Sequence, residues 1–223
     1  MKVGVLLPTF SPTSEPALAA ASEAGLDGVF AYDHLWPMGK PARPALAPFP
    51  VLAVVARHHP SLCVGPLVAR VGLTGTDHLL AEFASLAAVA PGRVVAALGT
   101  GDKLSREEND AYGIPWTSAD ERRGMVAEAA RALADVAEVW IGAGAPATND
   151  VARSLGVTLN VWGLAATEVA RLGADGPVSW AGPIREELAR TLDDLADAGA
   201  TWAVCAPDVD LASLANWRAR SAQ

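Results

Sequence analysis

Short apolar runs alternate with helix-compatible segments along the chain, and this alternation limits the possible folds more than any other feature. Strand character appears at residues 3–8, 28–33, 62–69, 94–98, 139–141, 157–162, 178–180 and 202–206. These runs are mainly apolar and do not alternate strictly with polar residues, as suits parallel strands covered on both faces. Helices are expected between them at 14–24, 45–58, 77–89, 118–134, 147–155, 165–173, 184–198 and 210–221. Their punctuation is chemical: Ser14 caps a start and Gly25 follows an end. Pro48 and Pro50 suit only a first helical turn. The pairs Ser105/Glu108 and Ser118/Glu121 have capping-box spacing. One helix face carries Leu79, Leu80, Phe83, Leu86 and Ala87; another carries Ile184, Leu188, Leu192 and Leu195, with Gly199 ending it.

About eight strand–helix units in 223 residues predict an α/β fold of (β/α)8 barrel type, a single domain over 1–223 with shortened loops. An open doubly wound sheet is the rival architecture. Hydrophobic residues form 51% of the chain and charged residues only 19%, which supplies a core buried on both sides of the sheet. A formal net charge of −8 argues against nucleic acid, whose recognition needs clustered cations. No apolar stretch has the length of a membrane span, and the run after Lys2 is too short for a signal-peptide core. A cytoplasmic address follows as the default. Cys63 and Cys205 lie inside apolar runs and read as buried thiols, not as a disulfide framework.

In such a barrel, catalytic groups sit where strands end at their carboxyl side. The run Gly28-Val29-Phe30-Ala31-Tyr32 stops at Asp33-His34, and a buried strand has no packing reason to finish on an acid and an imidazole. Imidazole suits proton transfer near neutrality. Neighbouring strand residues point opposite ways, so one of the two is expected to face the cavity while the other fixes backbone or a nearby loop. Arg70 follows the third strand, Asp102 and Lys103 the fourth, Gly142 the fifth and Gly163 the sixth; all should converge on one mouth. Asp102 has a second reading as a helix cap. Gly142-Ala143-Gly144-Ala145-Pro146 before a helix is a candidate phosphate cradle, although ordinary tight turns look the same. His58-His59 reads as a helix end and Asp77-His78 as a helix start. Among the seven tryptophans only Trp36 is expected in a rim loop. No metal-ligand pattern is evident, so no metal is expected.

The stretches Gly4-Val5 to Phe10, Ala24 to Phe30, Asp33-His34-Leu35, Val64-Gly65 with Val68, and Pro91-Gly92-Arg93-Val94 resemble the bacterial luciferase-like flavin and deazaflavin oxidoreductases. So do Gly99-Thr100-Gly101-Asp102, the run Glu107 to Pro115, and Val139-Trp140-Ile141-Gly142. The chain resembles a short member of that family. The resemblance implies a barrel, frequently dimeric, that binds coenzyme F420 or FMN at its carboxyl rim. It also implies His34 as the proton acceptor or donor beside the ring, Asp33 at the cofactor end of the site, and Asp102 as a second acid–base group. Leu67-Val68 falls where the family has a backbone bulge, often a cis peptide. Gly99, Thr100 and Gly101 would line the ring, and Gly142, Ala143, Gly144 and Ala145, with Gly163 and Leu164, would hold the cofactor phosphate.

The expected activity is hydride transfer between coenzyme F420, or alternatively FMN, and a small-molecule substrate, in a homodimer. Alternatives are a non-catalytic flavin-binding protein of this fold, an FMN-dependent monooxygenase, and a phosphate-ester or isomerase barrel.

Overall fold

A computed structural model describes residues 1–7, 25–36 and 45–221. The helix expected at 14–24 and the far end of the first strand lie outside the described residues. Those described form nine strands and eight helices. The strands are β1 (Lys2–Leu6), β2 (Gly28–Ala31), β3 (Cys63–Pro66), β4 (Ala69–Arg70), β5 (Val95–Gly99), β6 (Glu138–Gly142), β7 (Thr158–Trp162), β8 (Val178–Gly182) and β9 (Trp202–Cys205). The helices are α1 (Pro48–His58), α2 (Thr76–Val89), α3 (Lys103–Ala111), α4 (Ala119–Leu133), α5 (Pro146–Leu155), α6 (Ala166–Gly173), α7 (Leu188–Asp197) and α8 (Leu211–Ser221).

Every strand pairing is parallel, in the order β3-β2-β1-β9-β8-β7-β6-β5-β4. The two ends of this order are consecutive pieces of one barrel strand. Its first half, β3, pairs with β2, and its second half, β4, crosses to β5. A parallel bridge between Val64 and Val94 completes the closure. The expected third strand at 62–69 is therefore broken, and the peptide between Leu67 and Val68 at the break is cis. The chain is an (β/α)8 barrel, as its alternation predicts.

Apolar packing occurs in two places. Between the strands and the helices lies the larger core, which includes Leu52, Phe83, Val126, Val169, Leu192 and Leu214. Inside the barrel, Leu6, Phe30, Val95, Trp140 and Trp202 fill the lower half. Phe30 stacks on Trp140 at 5.4 Å between ring centroids and meets Trp202 edge-on at 5.6 Å. At the amino end the Lys2 ammonium lies 5.0 Å from the centre of the Trp202 ring. The lower barrel is thus packed shut among the described residues.

Three expected boundaries shift. The helix placed at 45–58 begins at Pro48, because the two prolines fit the first turn and Ala47 is extended. The helix placed at 184–198 begins at Leu188; Glu187 at its cap has φ 48°, a left-handed conformation that a helix cannot continue through. Ile184 precedes that helix, whereas Leu192 and Leu195 do form its buried face. The capping box expected at Ser105/Glu108 is instead Asp102/Ser105, three residues earlier. The box at Ser118/Glu121 is present as expected. No helix among the described residues is long and apolar enough to cross a membrane.

Candidate active site

A cavity of about 410 Å³ opens at the carboxyl rim. It is lined by Tyr32, Asp33 and His34 after β2, by Leu67, Val68 and Arg70 around the broken strand, and by Gly99 to Asp102 after β5. Ser105 of α3, Gly142 to Gly144 after β6, and Asn160 and Trp162 of β7 complete the lining. Most residues expected at the site therefore come together: Asp33, His34, Asp102, Leu67, Val68, Gly99, Thr100, Gly101, Gly142, Ala143 and Gly144. Ala145, Gly163 and Leu164 stand outside the lining. Ala145 caps α5. Gly163 donates its N–H to the Ala181 carbonyl at 2.7 Å, and the Leu164 carbonyl accepts from the Trp180 indole at 2.8 Å.

The floor explains two of the glycines. Val68 packs against both Gly99 and Gly142. A Cβ on Gly99 would sit 2.2 Å from the Val68 Cγ2, so any side chain there must displace the valine or the strand.

The most informative group is one that sequence reasoning assigned elsewhere. Glu108, read from the sequence as half of a capping box, lies mid-helix in α3 and is 1% exposed. Its Oε1 lies 2.6 Å from His34 Nδ1. Its Oε2 accepts from the Leu35 backbone N–H at 2.9 Å and from the Arg70 guanidinium at 2.7 Å. Arg70 is likewise buried, and its remaining nitrogens donate to the Asp33 carbonyl at 2.8 Å and the Ser105 carbonyl at 3.4 Å. The Asp33 carboxylate accepts the Arg70 backbone N–H at 2.8 Å. Burial raises the Asp33 pKa, against the opposing pull of that hydrogen bond and of the guanidinium.

The two adjacent residues thus have different jobs. Asp33 fixes the start of β4, and His34 presents its ring to the cavity. Because Glu108 holds Nδ1, the second ring nitrogen, Nε2, is the one left for an exchangeable proton. Three of the five guanidinium N–H groups of Arg70 are bonded inside the protein, so it ties Asp33, Ser105 and Glu108 together at the edge of the cavity.

Asp102 lines the cavity and also caps α3, accepting from the Ser105 N–H at 2.9 Å and the Ser105 hydroxyl at 2.9 Å. The cap reading from the sequence is thereby present in the structure. In the turn after β6, two amides are already bonded: Ala143 N–H to the Asn160 carbonyl at 2.6 Å and Gly144 N–H to Asn149 Oδ1 at 3.2 Å. Pro146 contributes no N–H, so this turn has fewer donors for a phosphate than its glycines suggest.

Besides Glu108, which lies behind the lining, four lining residues were not expected at the site: Ser105, read only as part of a helix cap, and Tyr32, Asn160 and Trp162. Asn160 donates to the Ser179 hydroxyl at 3.0 Å, a buried polar pair on neighbouring strands, and its signal was a lone amide inside an apolar run. Tyr32 lies 6.3 Å from Trp162 and 6.2 Å from His34 between ring centroids. Burial, then nearby Asp208, pushes the Tyr32 pKa up to about 12. Trp162 is 49% exposed at the mouth, so Trp36 is not the sole tryptophan of the rim. Trp36 packs instead on Tyr112 of the segment after α3, 6.0 Å between centroids. Among the described residues no group of three His, Cys, Asp or Glu is placed to hold a metal ion.

Comparison with known proteins agrees with this geometry. An F420-dependent glucose-6-phosphate dehydrogenase of Beutenbergia cavernae is 32% identical over 123 residues, 55% of this chain and 35% of the relative. The shared stretch therefore spans about a third of the length of the curated relatives the chain matches. Among solved structures, an F420-dependent secondary alcohol dehydrogenase in complex with an F420-acetone adduct superposes with a TM-score of 0.78 at 13% identity, covering 96% of this chain and 97% of that one. The monooxygenase RslO1 from Streptomyces bottropensis gives 0.75 at 14% identity, covering 99% and 98%. At such identities these likenesses speak for the fold. Residues 1–138, which contain the Asp33-His34 tip, the broken third strand and Glu108, match the luciferase-like monooxygenase family, and the chain belongs to it.

Proposed function

We propose that this protein is an oxidoreductase that binds the deazaflavin coenzyme F420, or alternatively FMN, in the rim cavity and acts on a small organic substrate. The observation that carries the reading is that His34, on the wall of that cavity, is held from behind by Glu108 at 2.6 Å. The curated relatives, matched over 55% and 60% of the chain, are named for F420 dependence, which favours the deazaflavin. A riboflavin lyase of the same fold, solved with modified FMN (TM-score 0.65 at 13% identity), keeps FMN as the alternative.

The residues present fit such a group. The Val68 side chain, seated on Gly99 and Gly142, offers an apolar floor for a flat ring. Gly99, Thr100, Gly101 and the segment from Gly142 to Gly144 would border it. When bound, a deazaflavin supplies hydride transfer at a ring carbon; the nitrogen of a flavin adds oxygen chemistry.

The protein's own part is proton management. Glu108 accepts from Leu35 and Arg70 on one oxygen, so its other oxygen is aimed at His34 Nδ1. An ionised carboxylate only accepts hydrogen bonds, so Nδ1 carries the hydrogen and Nε2 presents a lone pair. In substrate oxidation Nε2 takes the hydroxyl proton as hydride leaves the carbon, and in reduction it returns that proton. Glu108 compensates the imidazolium formed in between. Tyr32 and Trp162 supply an aromatic side to the substrate space.

Titrating the protein with F420 and with FMN, read by absorbance and fluorescence, tests the cofactor assignment; no spectral change with either would end it. His34→Ala should keep cofactor affinity and lose turnover, and undiminished turnover would remove the proton role. Homodimerisation through the outward faces of α1 and α2, where Val54 and Val89 are exposed, belongs to the same proposal. A monomeric mass in solution at micromolar concentration would contradict it.

A further inference from the structure

The strip Thr100-Gly101-Asp102 has open space on both sides. Inward lies the rim cavity; outward lies a second hollow of about 640 Å³ that shares Gly101 and Asp102 with it. A backbone segment with a void on each face cannot be held by ordinary core packing. Among the described residues, Ser105 of α3 packs on Gly101, and Trp116 and Arg122 reach the strip from the side of the second hollow. A Cβ on Gly101 (φ 73°) would meet the Trp116 ring at 3.2 Å, so the indole edge rests directly on the strip. The Arg122 guanidinium lies over the same indole at 3.9 Å from the ring centroid. Its Nε donates to the Thr100 carbonyl at 2.7 Å, and its Nη1 donates to the Thr117 carbonyl.

Local sequence aims this arginine. The Ser118/Glu121 capping box sets the first turn of α4, and Arg122 is the next residue, its N–H bonded to the Ser118 carbonyl at 3.0 Å. The guanidinium thereby joins the strip after β5 to the segment entering α4, and the planar fork serves two carbonyls at once.

We propose that Arg122, seated on Trp116, is a positioning residue that holds the Thr100–Asp102 strip in the shape that receives the cofactor. It does not itself line the rim cavity and acts through the carbonyl of Thr100, which does. The strip also begins α3, whose Glu108 holds His34, so the clamp sits behind both the ring wall and the proton group. The ligand part of this inference rests on the proposed cofactor site; the ordering part does not.

The test uses Arg122→Ala and Arg122→Lys in the full chain. Amide hydrogen exchange in the ligand-free protein reads residues 100–102, and titration with F420 and FMN reads affinity. For Arg122→Ala the expected result is faster exchange confined to that strip and an affinity loss of about ten-fold, with a smaller change in turnover at saturating cofactor. Arg122→Lys keeps the charge but serves one carbonyl, and should fall between alanine and the wild type. If the alanine variant does not fold, the lysine variant must still show raised exchange at 100–102. Unchanged exchange there in a folded variant overturns the clamp. Raised exchange with undiminished affinity overturns its role in binding. A wild type that binds neither cofactor overturns the proposed function, while the exchange result still decides the clamp.

Discussion

Glu108→Gln is the substitution with the most specific consequence. The glutamine amide has the shape of the carboxylate but only one accepting end. The Oε2 position receives two donors, the Leu35 N–H at 2.9 Å and the Arg70 guanidinium at 2.7 Å, so the amide oxygen must occupy it. The amide nitrogen then faces His34 Nδ1 at the place where Oε1 stood 2.6 Å away. Nδ1 becomes the acceptor, the hydrogen moves to Nε2, and the cavity loses its base. General-base catalysis is worth roughly 10²–10⁴ in rate, so turnover should fall by about that factor at saturating cofactor. The Leu35 and His34 bonds lose their ionised partner and the buried Arg70 guanidinium loses its counter-charge, a stability loss of about 3–5 kcal/mol. Nitrogen-15 NMR of the His34 ring reports the tautomer directly, and steady-state kinetics reports the rate. Turnover within about three-fold of wild type, or an unaltered tautomer, would refute the reasoning.

Other perturbations give equally definite outcomes. Gly99→Ala drives a methyl into Val68 and should cost about 1–3 kcal/mol in urea denaturation while weakening ligand binding. The pKa of Asp33 is higher in the folded state than in the unfolded chain, so the native state binds the proton more tightly. Its contribution to stability therefore falls as pH rises from the unfolded carboxyl value, about 3.9, through the raised folded value. Asp33→Asn should remove that slope, so wild type gains on the variant as pH drops from 7 towards about 4; a stability difference between the two that stays constant over that range would contradict this. Cys205 is fully buried, with its pKa pushed up to about 12 by desolvation, so alkylation at pH 8 should require unfolding.

How legible the site was depended on which physical signal each residue carries. The Asp33-His34 tip could be read because it interrupts an apolar run, and a strand buried on both faces tolerates polar groups only where it opens. The glycines after β5 and β6 were legible for a similar reason, although their partner, Val68, was not: nothing local says which side chain a glycine makes room for. Glu108 was misread because a capping box explains a glutamate equally well in one dimension. The overlooked clue was in α3 as a whole. The segment Lys103-Leu104-Ser105-Arg106-Glu107-Glu108-Asn109-Asp110-Ala111 has no apolar stripe, so whatever face it turns inward must be polar and must find polar partners there. Trp162 was assigned to packing because a tryptophan looks alike in sequence whether it fills a barrel, as Trp140 and Trp202 do, or stands at its mouth.

The sequence by itself determined an alternating, parallel α/β chain and the strand ends where chemistry belongs, because hydrophobic periodicity, caps and turn residues act over a few positions. Tertiary structure alone decided that the third strand breaks to close the ring, that Glu108 reaches His34 across 74 positions, and that Arg70 is turned inward. Those outcomes depend on which buried donors and acceptors meet after the chain has closed, and such pairing leaves no periodic trace in the order of residues.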